Sequence, residues 1–302
     1  MKTIYTKKSV QKIFTMDIKR TTILFLTVAA LVFSSCSKAD YLDIDAGDRT
    51  ALSAKVKFVN ARASLTPVNF YDFTRKVTPA LLQRNTASAY LETQFGKVQY
   101  NVTEGTTASY IASYIFGGSA NFVQETNSAA FAGPNGPIAD FAHTLFTVKK
   151  RLKSTLNPNN LDSLILVYDD LTLPPAGKAK VRFANFSPDA PRVDFSFTGG
   201  AALFTNVNYG DFGGQTVIPY INGKAPAIVD GLTWKTLGPF TEIDAGTNLG
   251  FQIRNTGNQS LINISGASLS GVTLENGKIY TIFINGQITG SPEITATIIT
   301  HN

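Results

Sequence analysis

Residues 54–72, AKVKFVNARASLTPVNFYD, align without gaps on residues 179–197, AKVRFANFSPDAPRVDFSF, with seven identities that include Lys55/Lys180, Phe58/Phe183, Asn60/Asn185 and Phe70/Phe195. Self-similarity at this separation marks a duplicated structural unit. Each copy opens with an alternating run, a turn and a second alternating run, the pattern of strand, turn, strand. Working outward, residues 97–102 (KVQYNV) resemble 248–253 (NLGFQI). With insertions, residues 144–147 then 164–168 correspond to 280–283 then 296–300.

Alternation of apolar and polar residues at 181–183, 193–197, 251–253 and 294–298 predicts strands with one side on a core and the other in water. Residues 279–284 (IYTIFI) are apolar apart from Thr281, which predicts a central strand covered on both faces. Turn signals at Asn276-Gly277, Asn285-Gly286, Asn222-Gly223 and Pro134-Asn135-Gly136 separate the runs. No long amphipathic helix is evident. The expectation is an all-β chain of two tandem immunoglobulin- or transthyretin-like antiparallel β-sandwiches. Residues 53–173 form the first and 178–302 the second. Pro174-Pro175 and Gly177 lie between them in a short linker.

Ahead of the repeat, residues 23–33 (ILFLTVAALVF) form an apolar run preceded by Lys19-Arg20 and followed by Ser34-Ser35-Cys36. That is the order of a secretory signal, too short to span a bilayer, which takes about 20 apolar residues. Residues 1–35 read as a leader, with Met16 a second possible start. The whole-chain charge of +6 comes from 27 basic and 21 acidic residues. Six of the basic residues and one acidic residue are in the leader, so the rest carries +1. That near-neutrality argues against nucleic acid as a partner. The one basic cluster, Lys149-Lys150-Arg151 with Lys153, reads as a solvated strand end. Cys36 is the only cysteine, so no internal disulfide is expected and stability must come from burial.

Two resemblances extend the reading. Cys36 after two small residues resembles the lipobox of bacterial lipoproteins, with Phe33 where an aliphatic residue is usual. This implies an acylated Cys36, membrane lipid as its partner, and an outer-membrane location, either at the cell surface or facing the periplasm. The acidic tether at residues 36–52, with Asp40, Asp43, Asp45 and Asp48, resembles the surface-export signal of Bacteroidetes lipoproteins. Residues 169–194 resemble the entry motif of the bacterial domain-of-unknown-function family DUF4397: Asn185, then Ser187-Pro188-Asp189-Ala190-Pro191, then Val193-Asp194. Gly277 and Tyr280-Thr281 match its later strand. The first copy departs from it at Arg62-Ala63-Ser64-Leu65. The family brings architecture but no established chemistry.

Candidate site residues are therefore few. Asn185, Ser187, Asp189 and Asp194 form a possible ligand or ion loop. Ser and Asp side chains that serve their own turn, with Pro fixing φ, are the structural alternative. Asp194 is expected either to satisfy that turn or to pair with Arg182. Trp234 is a possible aromatic contact or a core cap. Neither catalytic nor metal-ligating residues are assigned, and no cofactor is expected. His143 is read as a solvent-facing or satisfied strand histidine, and the adjacent Asp169 and Asp170 as pointing to opposite faces at a strand end. The function that fits is a non-catalytic, membrane-anchored binding or adhesion module with a glycan or envelope-protein ligand. A fimbrillin-like subunit assembling by strand exchange is the alternative, and a hydrolase comes third.

Overall fold

The computed structural model describes residues 52–117, 136–149, 162–214, 238–266 and 269–302. The leader, Cys36 and the acidic tether lie outside these residues, as do Trp234 and all of the basic cluster except Lys149. Residues 52–302 make one compact unit.

All regular structure among the described residues is strand. The first copy contributes β1 (Ala54–Asn60), β2 (Val68–Asp72), β3 (Arg75–Lys76), β4 (Ala87–Thr93), β5 (Val98–Glu104), β6 (Tyr110–Phe116), β7 (Ala142–Val148) and β8 (Ser163–Tyr168). These make two sheets, ordered β4-β1-β7-β8 and β3-β2-β5-β6. From the second copy come β9 (Lys178–Phe186), β10 (Val193–Phe197), β11 (Ala202–Val207), β12 (Thr241–Asp244), β13 (Gly246–Leu249), β14 (Phe251–Asn255), β15 (Val272–Leu274), β16 (Ile279–Asn285) and β17 (Thr295–Thr300). Their sheets are ordered β12-β9-β16-β17 and β11-β10-β14, with β13 and β15 paired separately. The orders match except that, among the described residues, the second copy has no strand in the place of β6, so the repeat in the sequence is a repeat in topology.

Pairing is antiparallel with one exception in each copy. β1 runs parallel to β7, and β9 parallel to β16. An all-antiparallel sheet was expected. The difference arises because the chain, after pairing β4 on one side of β1, crosses to β5 and β6 of the other sheet and re-enters on the far side of β1 at β7; such a crossover is what lets parallel neighbours meet.

Each copy encloses its own core between its two sheets. In the first, Phe58, Phe70, Tyr100, Phe116 and Leu145 are buried together; in the second, Phe183, Phe195, Phe251, Ile253 and Ile282. Phe183, Phe195 and Phe251 stack in succession, with centroids 4.6 and 5.0 Å apart, so the repeated Phe positions build a ladder through the second core.

A third core lies between the copies. Phe146 of β7 meets Phe186 and Phe283 of the second copy at 5.0 and 6.0 Å, with Val59, Val148, Ile165, Val167, Ala184 and Ile299 around them. Sheet β4-β1-β7-β8 thus packs its outer face on that of β12-β9-β16-β17. This accounts for the fully buried β16: Ile282 and Ile284 serve the inner core and Phe283 the shared one. It also corrects the expectation that the polar side of residues 181–183 faces water, since Arg182 is fully buried in the shared face.

Strand direction orders the two ends of this body. Ser53, before β1, receives the amide of Asp140 at one end; the C-terminal end of β1 and that of β16 meet at the other, where Asn285 Nδ2 donates to the Arg62 carbonyl. The entry loops at 61–67 and 187–192 and the loop at 286–293 therefore share the end opposite residue 52. A seven-residue strand at about 3.3 Å per residue separates the two ends by roughly 20 Å.

Candidate functional site

Asn185, next to last in β9, has the same role that Asn60 has at the end of β1. Each is fully buried, each accepts the amide two residues ahead (Ser187 N at 3.1 Å, Arg62 N at 3.3 Å), and each donates to a distant carbonyl, Val207 O or Leu82 O. An Asx turn thus launches both entry loops.

In the second copy, Ser187 Oγ donates to the Gly286 carbonyl at 2.9 Å. Asp189 accepts the amides of Ile288 and Thr289 at 2.9 and 3.0 Å. Burial pushes its carboxyl up, but these bonds outweigh it and hold the group below the ordinary carboxylate range. Gly286 is required here: φ is +98°, and a Cβ would fall 2.2 Å from the Glu293 carbonyl oxygen. Asp194 accepts from Asn206 N, Thr256 Oγ1 and Gln259 Nε2 at 2.7–2.9 Å. It takes neither of its two expected roles: it braces the turns at 206 and 256–259 instead of the Ser187–Pro191 turn, and Arg182 is held by Asp169. The four nominated residues are thus brought to one end of the copy, but as two separate braces: Ser187 and Asp189 on the 286–289 loop, Asp194 on the 206 and 256–259 turns.

The first copy fastens its entry loop differently. Arg62, at the position of Ser187, bonds Glu104 at 2.8 Å and Asp162 at 2.6 Å while almost wholly buried. The departure seen at residues 62–65 is thus a change of fastener.

Sequence reasoning missed the principal polar cluster. Arg182 Nη2 meets Asp169 Oδ1 at 2.7 Å, both fully buried. Arg182 Nε donates to Thr281 Oγ1 at 2.9 Å, and Thr281 Oγ1 lies 2.7 Å from His301 Nε2. His301 Nδ1 lies 2.7 Å from Tyr90 OH, which donates to Asp169 Oδ2 at 2.8 Å. Donor counting fixes the protons: Tyr90 gives its one hydrogen to Asp169, so His301 donates from Nδ1 and accepts at Nε2 from Thr281. The result is a closed ring, Arg182 to Thr281 to His301 to Tyr90 to Asp169 and back, which crosses between the copies twice. Burial, the largest influence, drives the imidazole of His301 down to about 3, so it is the neutral ring that these bonds hold. Tyr90 is pushed upward, chiefly by burial and then by Asp169.

The ring obeys the repeat. Lys57 aligns with Arg182; Lys57 lies opposite Thr144, and Arg182 opposite Thr281. Thr144 donates to Asp169 at 2.6 Å as Thr281 pairs with His301. Lys57 sits 4.7 Å over Tyr90, and Arg182 4.4 Å over Phe240. Lys57 Nζ donates to Thr300 O of the second copy, and Arg182 Nη1 to Tyr168 O of the first. The shared face is thus a pseudo-two-fold contact, built like a symmetric dimer interface within one chain.

His143 is buried in the first copy, its Nδ1 3.2 Å from the Phe141 carbonyl, and burial lowers it to about 4. Asp169 and Asp170 do point apart: Asp170 is half-exposed and pairs with Lys180 at 3.1 Å. A cleft of about 480 Å³ lies beside β14, floored by Phe251, Ile253 and Leu269 and rimmed by Gln252, Asn263 and Leu261.

No family model matches the chain, and no curated protein matches it. Two crystal structures described as a "putative cell adhesion protein", from Bacteroides eggerthii and Bacteroides uniformis, are similar at 11% identity. The first covers 84% of this chain and 97% of its own, with a TM-score of 0.17. The second covers 83% and 99%, with a TM-score of 0.19. Likenesses this loose add nothing to what the strand order shows.

Proposed function

We propose that the chain is a lipid-anchored, non-catalytic binding or adhesion module of a bacterial envelope. In this reading Cys36 carries the acyl anchor, and two tandem immunoglobulin- or transthyretin-like sandwiches of the DUF4397 kind stand on the acidic tether. The observation that carries the proposal is polarity of the body. The described chain begins at one end, and both entry loops, fixed on rigid strands, lie together at the other. Loops held so by a scaffold are where binding residues concentrate. The reactive groups serve this scaffold: Asp169, His301 and His143 are buried, Tyr90 is half-buried, and all four are committed to internal bonds.

Two measurements test the reading. Labelled palmitate should enter the native protein and be lost with Cys36→Ser. Glycan and envelope-protein panels should give reversible binding without turnover. Unlabelled, cytosolic protein, or binding to no member of either panel, contradicts it.

A further inference from the structure

The turns that close the first copy at the end near residue 52 carry large apolar side chains into solvent. Leu52 is 59% exposed, Phe95 45%, and Phe73 and Phe141 40% each. The last three are the exposed phenylalanines among the described residues. Hydrogen bonds tie their turns into one surface: Gln94 N donates to Asp72 Oδ2 at 3.0 Å, Gly96 N to the Pro137 carbonyl at 2.7 Å, and Asp140 N to the Ser53 carbonyl at 2.9 Å. Phe73 is the first of the two residues that join β2 to β3, and its φ is +52°. Gly, Asn and Asp take this conformation readily in so short a hairpin, whereas a bulky side chain is an outlier there. Its amide donates to the Gln99 carbonyl at 2.8 Å and its carbonyl accepts from Asn101 Nδ2 at 2.7 Å, so a fixed backbone holds the ring out. Neither the turn nor the core asks for a phenylalanine at this position, and outliers of this kind gather where a protein functions.

We propose that this end sits on the bilayer with its phenylalanines set into the headgroup layer, a contact that rests on the lipid anchor of the proposed function and adds where the body meets the membrane. The sixteen residues 36–51 join the thiol to Leu52, and they join the body at this end. Fully extended they reach about 55 Å. That length allows the body to stand clear of the surface or to sit on it, so the side chains at its foot decide. Exposed phenylalanine and leucine gain by entering the boundary between headgroups and acyl chains. Charge does not select the lipid, because Arg75 and Lys97 flank Phe73 and Phe95 while Glu92 and Asp140 lie at the same end. A zwitterionic surface therefore suffices, and salt leaves the contact in place. Seated this way, the body directs its entry loops away from the membrane.

The experiment couples the unacylated mature chain through Cys36, its only cysteine, to a maleimide phospholipid in phosphatidylcholine vesicles. Tryptophan is placed at one position at a time: Phe73→Trp, Phe95→Trp or, at the opposite end, Leu65→Trp. Emission is compared between ordinary lipid and lipid brominated in its acyl chains, with the parent chain and its single Trp234 as background. The expected result is emission from positions 73 and 95 quenched about twofold or more, unchanged in about 0.5 M salt, with no quenching at 65. Adding Phe73→Ser and Phe141→Ser to Phe95→Trp should relieve the quenching while thermal melting stays at the parent's value, since these rings are exposed. No quenching at 73 and 95, or quenching at 65 equal to that at 95, overturns the proposal. The coupled lipid supplies an anchor by itself, so that outcome strikes the contact alone, and failed palmitate labelling strikes the anchor.

Discussion

Asp169 and His301 occupy equivalent positions in the two copies and lie 3.6 Å apart across the face that joins them. Each follows the last strand of its copy by one residue, and each receives a threonine of the preceding strand, Thr144 or Thr281. One copy thus offers a carboxylate where the other offers an imidazole. Arg182, replacing the Lys57 of the first copy, completes the charge balance. Two copies of the second kind would set Arg182 and His301 against their like with no anion between them, so these substitutions fit the copies to each other.

Asp169→Asn leaves Arg182 buried without its anion. Loss of one partner from a buried pair costs about 3–5 kcal/mol, and urea unfolding should register it. Arg182→Met combined with Asp169→Leu should recover most of that loss, because it removes both desolvation penalties. A double variant as weak as the single one would mean that the ring, rather than the pair, holds the face.

Acid should weaken the protein in a defined window. His143 and His301 are held neutral down to about 4 and about 3, whereas free histidine titrates near pH 6.5. Between those values the unfolded chain binds protons that the folded chain refuses, so stability falls as pH falls. The slope is about 1.4 kcal/mol per pH unit for each histidine. Burial pushes Asp169 up, but Arg182 outweighs it and holds the carboxyl below its usual range. Its share of stability is therefore present above about pH 4 and lost below, with the same sign. Urea midpoints at pH 6.0 and 4.5 should differ accordingly, and His301→Gln should halve the slope.

Asp189→Ala should free the amides of Ile288 and Thr289, which have that carboxylate as acceptor. Hydrogen exchange at these two positions should accelerate while the amides of β16 stay protected. Equal acceleration throughout β16 would show that the carboxylate supports the whole sheet instead of one loop.

The repeat was legible because its identities carry repeated jobs: Asn60 and Asn185 launch the same turn, and Phe58 and Phe183 fill the same core position. The match of residues 97–102 to 248–253 is also correct in register, since Phe70 pairs with Val102 as Phe195 pairs with Ile253. The match of Thr144 to Tyr280 is off by one, for the pairings place Thr144 on Thr281. A one-residue slip exchanges the faces of a strand and hides the equivalence of Thr144 and Thr281, whereas the match of 164–168 to 296–300 is in register and sets Asp169 against His301. Residues 279–284 announced burial on both faces, but an apolar run does not say what covers it. His301, one residue from the end of the chain, gave no local signal; its partners come from three other strands and lie up to 211 residues away.

Scanning calorimetry of the mature chain tests most directly whether the two copies are one body joined by the Arg182–Asp169 ring and the Phe146 core. The account predicts a single cooperative transition, with calorimetric and van't Hoff enthalpies equal. Two separable transitions, one of them unmoved by Asp169→Asn, would contradict it.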